Sequence, residues 1–250
     1  MNVSTETTKK GGIGEALRVL VQALLIALVI RTVLFQPFNI PSGSMKETLL
    51  IGDYLFVSKF SYGYSRFSIP FSPKLFSGRI FASEPQRGDV AVFRNPKQDD
   101  ADFIKRVIGL PGDRIQMVDG VLHINGEPVK RERIDDFLGE DAEGRRVPVA
   151  RYRETLPNGV THTTLDMVEN GFYDNTKVYV VPAGHYFMMG DNRDNSTDSR
   201  VESAVGPVPF ENLIGRAEVI FFSIEEGKSA WAIWEWPWSV RWSRVFKLVR

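Results

Sequence analysis

The chain has 250 residues, 43% of them hydrophobic, which is enough to bury one substantial core, so a folded globular body is expected rather than a disordered one. Lys plus Arg and Asp plus Glu number 31 each, and formal neutrality gives no bulk attraction toward nucleic acid or another polyanion. With no cysteine, disulfides, thiolate nucleophiles and thiolate metal sites are all excluded, and either side of a bacterial inner membrane stays open.

From Val19 to Phe35 the chain is apolar except for Gln22, Arg31 and Thr32, and a helix of that length reaches about 25 Å, just enough to span a bilayer. A cleavable secretory signal begins in the same way, but the following Phe35-Gln36-Pro37-Phe38 holds no small-x-small cleavage site, which favours a retained anchor. Lys9, Lys10 and Arg18 precede the span, so the positive-inside bias keeps the N-terminus in the cytoplasm, and Arg31 near the outer end can snorkel. Ser44 follows Phe35 so closely that even an extended link reaches only about 30 Å, which confines Ser44 to the membrane surface.

Beyond the anchor, short runs of Val, Ile, Phe and Tyr alternate with Gly, Pro and Asp, the pattern of a mostly β body. Strands are expected over 54–59, 89–94, 103–108, 114–118, 121–124, 177–181, 185–189 and 213–223. Asp119-Gly120 reads as a two-residue hairpin turn and Pro111-Gly112 as another tight turn. Residues 61–87 read as a large loop or hairpin, and the charged 131–176 stretch as an inserted excursion away from the chemical centre. All five tryptophans lie between Trp231 and Trp242. From Trp238 onward, Trp242, Val245 and Val249 share one helical face and Arg241, Arg244 and Lys247 another, which suits an amphipathic helix on anionic lipid, with docking on the β body as the alternative.

Pro41-Ser42-Gly43-Ser44-Met45 puts two hydroxyls in a turn just past the anchor, and a serine there becomes a nucleophile only if a neighbour takes its proton. His123, His162 and His185 carry no serine-protease motif. Lys105 alternates in phase with Phe103 and Val107, so it points to an apolar face, where desolvation lowers an amine toward the range of a general base. Arg106 faces the other side and seeks a carboxylate. The dense Asp, Asn and Arg of 190–200 enter a buried region after Tyr186-Phe187-Met188-Met189; ion pairs holding a catalytic group explain this better than calcium, whose carboxylates the two arginines would occupy.

Four blocks in order, Pro41 to Met45, Arg87-Gly88-Asp89-Val90, Phe103 to Asp113 and Gly190 to Ser196, resemble the motif set of bacterial type I signal peptidases. The resemblance covers Gln36 to about Ser223 and implies an antiparallel β serine endopeptidase with a Ser-Lys dyad, cleaving exported preproteins after small residues at −3 and −1. By that resemblance Ser44 is the nucleophile and Lys105 the general base, the Ser42 hydroxyl and Ser44 N–H form the oxyanion hole, and Ser196 orients the amine. Asp191 with Arg106 and Asp198 with Arg200 are supporting pairs, and Phe38, Ile40, Leu49, Val92 and Ile104 wall the substrate pockets. Lys46-Glu47 departs from the apolar residue and proline of many relatives.

The organisation that follows has residues 1–16 as a cytoplasmic N-terminus and 17–36 as a single anchor in the bacterial inner membrane. Residues 37–130 and 177–226 make the catalytic β domain on the outer side, 131–176 an inserted lobe, and 227–250 a Trp-rich amphipathic end. Signal peptides and membrane lipid are the implied partners, with a secretion translocase admitted and nucleic acid not; no cofactor or metal enters. A self-cleaving repressor-like protease would share the dyad but lack the anchor, and an inert membrane-tethered β module binding peptides or envelope proteins is the alternative from another class.

Overall fold

The computed structural model describes residues 12–140 and 145–250. Lys9, Lys10 and the rest of 1–11, and residues 141–144 of the expected lobe, lie outside them. Helix α1 (Ile13–Val29) continues through a wider turn, Ile30–Leu34, making one 22-residue apolar helix with no buried residue. At 1.5 Å per residue it is about 33 Å long, enough to cross a bilayer. It ends earlier than expected, because Phe35 and Gln36 already belong to β1 (Phe35–Asn39). Tyr64 Oη donates to the Val33 carbonyl (2.8 Å) and Lys59 N–H to the Leu34 carbonyl (3.0 Å), tying the foot of the helix to the body.

The strands follow as β2 (Asp53–Ser58), β3 (Val90–Arg94), β4 (Asp102–Gly109), β5 (Arg114–Val118), β6 (Val121–Ile124), β7 (Glu127–Pro128), β8 (Lys130–Glu140), β9 (Arg146–Thr155), β10 (Thr161–Asp166), β11 (Tyr179–Val180), β12 (His185–Met189), β13 (Val208–Pro209) and β14 (Leu213–Ser223). The expected 177–181 strand shrinks to β11, two residues paired to β5. The main sheet is antiparallel in the order β1-β2-β14-β3-β4-β12-β13. Register shifts in β14 against both neighbours let that strand bend across the body. In β3, Val90 and Val92 enter one buried cluster while Ala91 and Phe93 enter another, so the sheet is covered on both faces.

Asp119 (φ 47°) and Gly120 (φ 73°) are both left-handed, which the two-residue turn between β5 and β6 requires. The 131–176 excursion is a three-stranded sheet, β10-β9-β8. It is not detached from the main body: Leu165 bridges to Asn192, with Leu165 N–H donating to Asp191 O (2.9 Å) and Arg193 N–H to Leu165 O (3.0 Å).

The C-terminal end departs most from expectation. A short helix, α2 (Trp236–Ser239), forms with single 3₁₀ turns at Ile233–Glu235 and Trp242–Arg244, in place of one continuous amphipathic helix from Trp238 onward. Its two arginines turn inward instead while Lys247 stays exposed: Arg244 makes two bonds to the fully buried Asp53 (Nε 3.0 Å, Nη2 2.5 Å), and Arg241 reaches the Ile51 carbonyl (2.6 Å). Asp53 lies at the base of the β1–β2 loop, and a buried carboxylate left unpaired costs more than an extended tail gains by becoming helical. The tail thus docks on the β body, yet Trp231, Trp234, Trp238 and Trp242 remain exposed.

Arg244→Ala removes the main partner of Asp53 and is expected to destabilise the fold by about 3 kcal/mol, read as a lower urea midpoint in detergent.

Candidate active site

The site begins in the β1–β2 loop. Met45 and Leu49 are fully buried, Leu49 N–H donates to Met45 O (2.8 Å), and Ile40 and Gly52 close the loop at its base, Gly52 N–H to Ile40 O (3.0 Å). Two apolar anchors therefore pin a short turn and hold Ser44 at a fixed height beside the sheet. The Ser44 carbonyl accepts from Asn192 N–H (3.1 Å), and the Gly43 carbonyl from Asn192 Nδ2 (3.2 Å). No hydrogen-bond acceptor meets the Ser44 N–H among the described residues, and Ser42 Oγ stands 3.5 Å from Ser44 Oγ.

Lys105 comes from β4. Its side chain is 4% exposed, its amine lies 5.4 Å from the Phe103 ring centre, and Nζ donates to Ser44 Oγ at 2.7 Å and to Ile104 O at 2.9 Å. Burial is the main cause that lowers its pKa, to about 8; Asp198 and Asp191 pull it back up and Arg200 pushes it down. Near neutral pH an appreciable share of the amines is uncharged, with a lone pair able to accept a proton from the adjacent hydroxyl.

Three buried ion pairs hold the 190–200 segment, two of them acting on this amine through Asp198 and Asp191. Arg106 grips Asp191 with Nε (2.8 Å) and Nη2 (2.6 Å), and Thr48 Oγ1 donates to the same carboxylate (2.5 Å). Arg200 grips Asp198 with Nε and Nη2, both 2.9 Å, and Asp198 also accepts from Gly190 N–H (2.9 Å). The third, Arg193 with Glu154 of β9 (2.8 and 2.5 Å), joins the excursion to the motif. Burial opposes ionisation of all three carboxylates, but the guanidiniums more than offset it and hold each below its ordinary value.

A cleft of about 560 Å³ runs over Ser44 and Lys105. Phe38, Ile40, Val92 and Ile104 line it, as the resemblance implies, together with Ser42 and Ser196. Leu49 does not: it is fully buried in the core behind that wall, as an anchor of the nucleophile turn. Ser196 does not hold the amine either. Its hydroxyl donates to Asp198 Oδ2 (2.7 Å), because a buried carboxylate is a stronger acceptor than an amine that is itself a donor.

Sequence reasoning missed Glu154, Tyr173, Asp194 and Val201. Tyr173, Asp194 and Val201 line the cleft, and Tyr173 comes from the stretch expected to be remote. The signal for Glu154 was Arg193 itself, a buried cation left over once Asp191 and Asp198 had found arginines. The Lys46-Glu47 departure is answered by an ion pair, Glu47 with Arg151 of β9 at 3.0 Å. His162 is buried beside Glu154 (3.5 Å), with its pKa lowered to about 4 chiefly by burial and next by Arg106, so it stays neutral, and it does not line the cleft.

The family described as "Signal peptidase, peptidase S26" matches residues 13–222. Signal peptidase I of Rickettsia typhi (strain ATCC VR-144 / Wilmington) is 45% identical, covering 90% of this chain and 89% of its own. That of Rickettsia prowazekii (strain Madrid E) is 42% identical, covering 98% and 96%. A solved signal peptidase I from Enterococcus faecalis V583 aligns with 54% of this chain and 97% of its own at 26% identity, with a TM-score of 0.32.

A Cβ at Gly190 would lie 2.2 Å from Ser196 Oγ and 2.6 Å from the Ser44 carbonyl, so the motif approaches the nucleophile more closely than any side chain permits. Gly190→Ala is expected to displace Ser44 and cut turnover by about a hundredfold, with far-UV circular dichroism unchanged.

Proposed function

The chain belongs to the signal peptidase family, peptidase S26, and from that premise we propose that Ser44 and Lys105 carry out its peptide-bond cleavage, releasing signal peptides from exported preproteins after small residues at −3 and −1. The observation that carries the reading is the 2.7 Å contact between an amine 4% exposed and the Ser44 hydroxyl. Neutral Lys105 takes the hydroxyl proton as Ser44 Oγ attacks the scissile carbonyl. The oxyanion accepts from the Ser44 N–H and Ser42 Oγ, donors aimed where negative charge develops. The Lys105 ammonium then protonates the leaving amine, and in the second half the amine deprotonates a water that hydrolyses the acyl-enzyme.

Two free edges receive the substrate. β1 pairs only with β2, and residues 102–105 of β4 pair only with β3, so each offers unpaired backbone to the cleft. Both strands run toward Ser44, and a preprotein segment laid between them adds as a parallel strand whose alternate side chains, −1 and −3, meet the apolar wall. Phe38, Ile40, Val92 and Ile104 leave shallow space there, which suits alanine-sized groups. Asp191 with Arg106 and Asp198 with Arg200 keep the wall rigid, and Ser196 acts on Lys105 through Asp198.

The apolar helix anchors the chain in a membrane. The N-terminus lies on the cytoplasmic side and the catalytic body outside, in line with the cations ahead of the span. The exposed tryptophans at the docked C-terminal end suit a headgroup layer.

Purified protein in detergent, given a preprotein with an Ala-x-Ala site, is expected to produce a new N-terminus directly after the second alanine. Ser44→Ala and Lys105→Ala should each lose at least about 10⁴-fold in kcat/KM, and Lys105→His should not recover it; unchanged processing by Ser44→Ala would end the proposal. Because the amine must shed its proton before it can act, kcat/KM should rise with pH, bend near pH 8 and then level. A rate that climbed on to about pH 10 would report an ordinary lysine.

A further inference from the structure

A second cleft, of about 550 Å³, opens beside the first at the foot of the membrane helix. Leu28 and Arg31 of the helix, Gln36 of β1, Phe67 and Ile69 of the loop after β2, and Asp102 of β4 contribute to its walls. Asp102 lines both clefts, and β1 gives Phe38 to the first and Gln36 to the second, so the two adjoin along β1 and β4. The cleft is also built: the helix foot is bonded to the body through Val33 and Leu34, Arg94 holds Asp102 at 2.7 Å, and the Arg94 guanidinium stands 5.5 Å from the centre of the buried Phe67 ring.

Strand direction says what reaches it. Gln36 of β1 lies four residues before Ile40, which follows the end of that strand, and Asp102 lies three before Lys105 on β4. At about 3.3 Å per residue, those positions stand roughly 10–13 Å upstream of the nucleophile. A parallel substrate strand with its −1 carbonyl at Ser44 therefore sets residues −4 and −5 level with Asp102 and Gln36 at the mouth of the second cleft, and the residues just before them, to −7, enter it. In a signal peptide that is where the apolar stretch gives way to the small-residue cleavage site. The cleft matches that passage in chemistry, with Leu28, Phe67, Ile69 and Phe71 as apolar surface on one side and Arg31, Arg94, Asp99, Asp100 and Asp102 as a charged rim on the other.

We infer that this membrane-proximal cleft is a second substrate subsite, one that takes an apolar side chain at −5 to −7 of the signal peptide and so selects for the end of its apolar stretch. The inference rests on the cleavage reading above. Its contribution is remote from the reacting bond, so it adds to the rate only for substrates long enough to occupy it.

The test compares two substrates with the same Ala-x-Ala site, one beginning at −4 and one extending to −10 with leucine at −5 to −7, against the full-length protein in detergent. Wild type is expected to cleave the long substrate about tenfold or more better in kcat/KM. Ile69→Trp and Ser72→Trp, which fill the cleft, should erase that advantage while cleaving the short substrate as wild type does. A benzoyl-phenylalanine photoprobe at −6 of the long substrate, irradiated with the Ser44→Ala protein, should label residues of the 67–72 loop. Equal loss for both substrates, an advantage kept in the filled variants, or labelling confined to other regions would overturn the inference. Absence of cleavage of either substrate by wild type would instead sink the cleavage reading itself.

Discussion

The catalytic half of this molecule turns on one amine kept out of water. A lysine in solvent is protonated until about pH 10 and cannot accept a proton from serine; burial makes the charged form of Lys105 expensive and brings its pKa down to about 8. Desolvation alone does not make a base, however. Lys59 is also buried, with its pKa likewise lowered to about 8, but its amine is spent on the Ser68 carbonyl. The difference lies in what stands at hydrogen-bond distance, a serine hydroxyl in one case and a backbone carbonyl in the other.

Keeping an amine neutral among charges demands that every other charge nearby be matched. Asp198 and Asp191 both pull the proton back toward the amine, and each, like Glu154, is gripped by its own guanidinium. Buried pairs of this kind add little net stability, since desolvation cancels much of their attraction, but the loss of one partner leaves an uncompensated charge beside the dyad. Their value here is positional: they fix the field at Lys105 and the height of the 190–200 segment against Ser44.

Elements that looked peripheral share in the same task. The excursion sheet backs the motif through Leu165 and Glu154, and holds the nucleophile loop through Arg151 and Glu47. The C-terminal tail clamps the other side of that loop, with Arg244 on Asp53 and on the Thr48 carbonyl (3.0 Å). The short turn bearing Ser44 is thus braced from the sheet, the excursion and the tail, and it sits a few residues from a helix long and apolar enough to cross a bilayer.

Local patterns were legible from sequence because they depend on neighbours in the chain. Short Val, Ile, Phe and Tyr runs bounded by Gly, Pro and Asp marked most strands of the main sheet, left-handed turn chemistry marked Asp119-Gly120, and the phase of Lys105 with Phe103 and Val107 marked its apolar setting. The order of four motifs marked the family. What the tertiary structure alone decided was which distant groups meet: Ser44 with Lys105 across 61 residues, Arg193 with Glu154, Ser196 with Asp198 rather than the amine, Leu49 behind the cleft wall rather than on it, and a tail whose arginines turn inward. Helical periodicity misread that tail because a sequence pattern records which faces are apolar, whereas the conformation was set by a buried carboxylate 191 residues away that had to be paired.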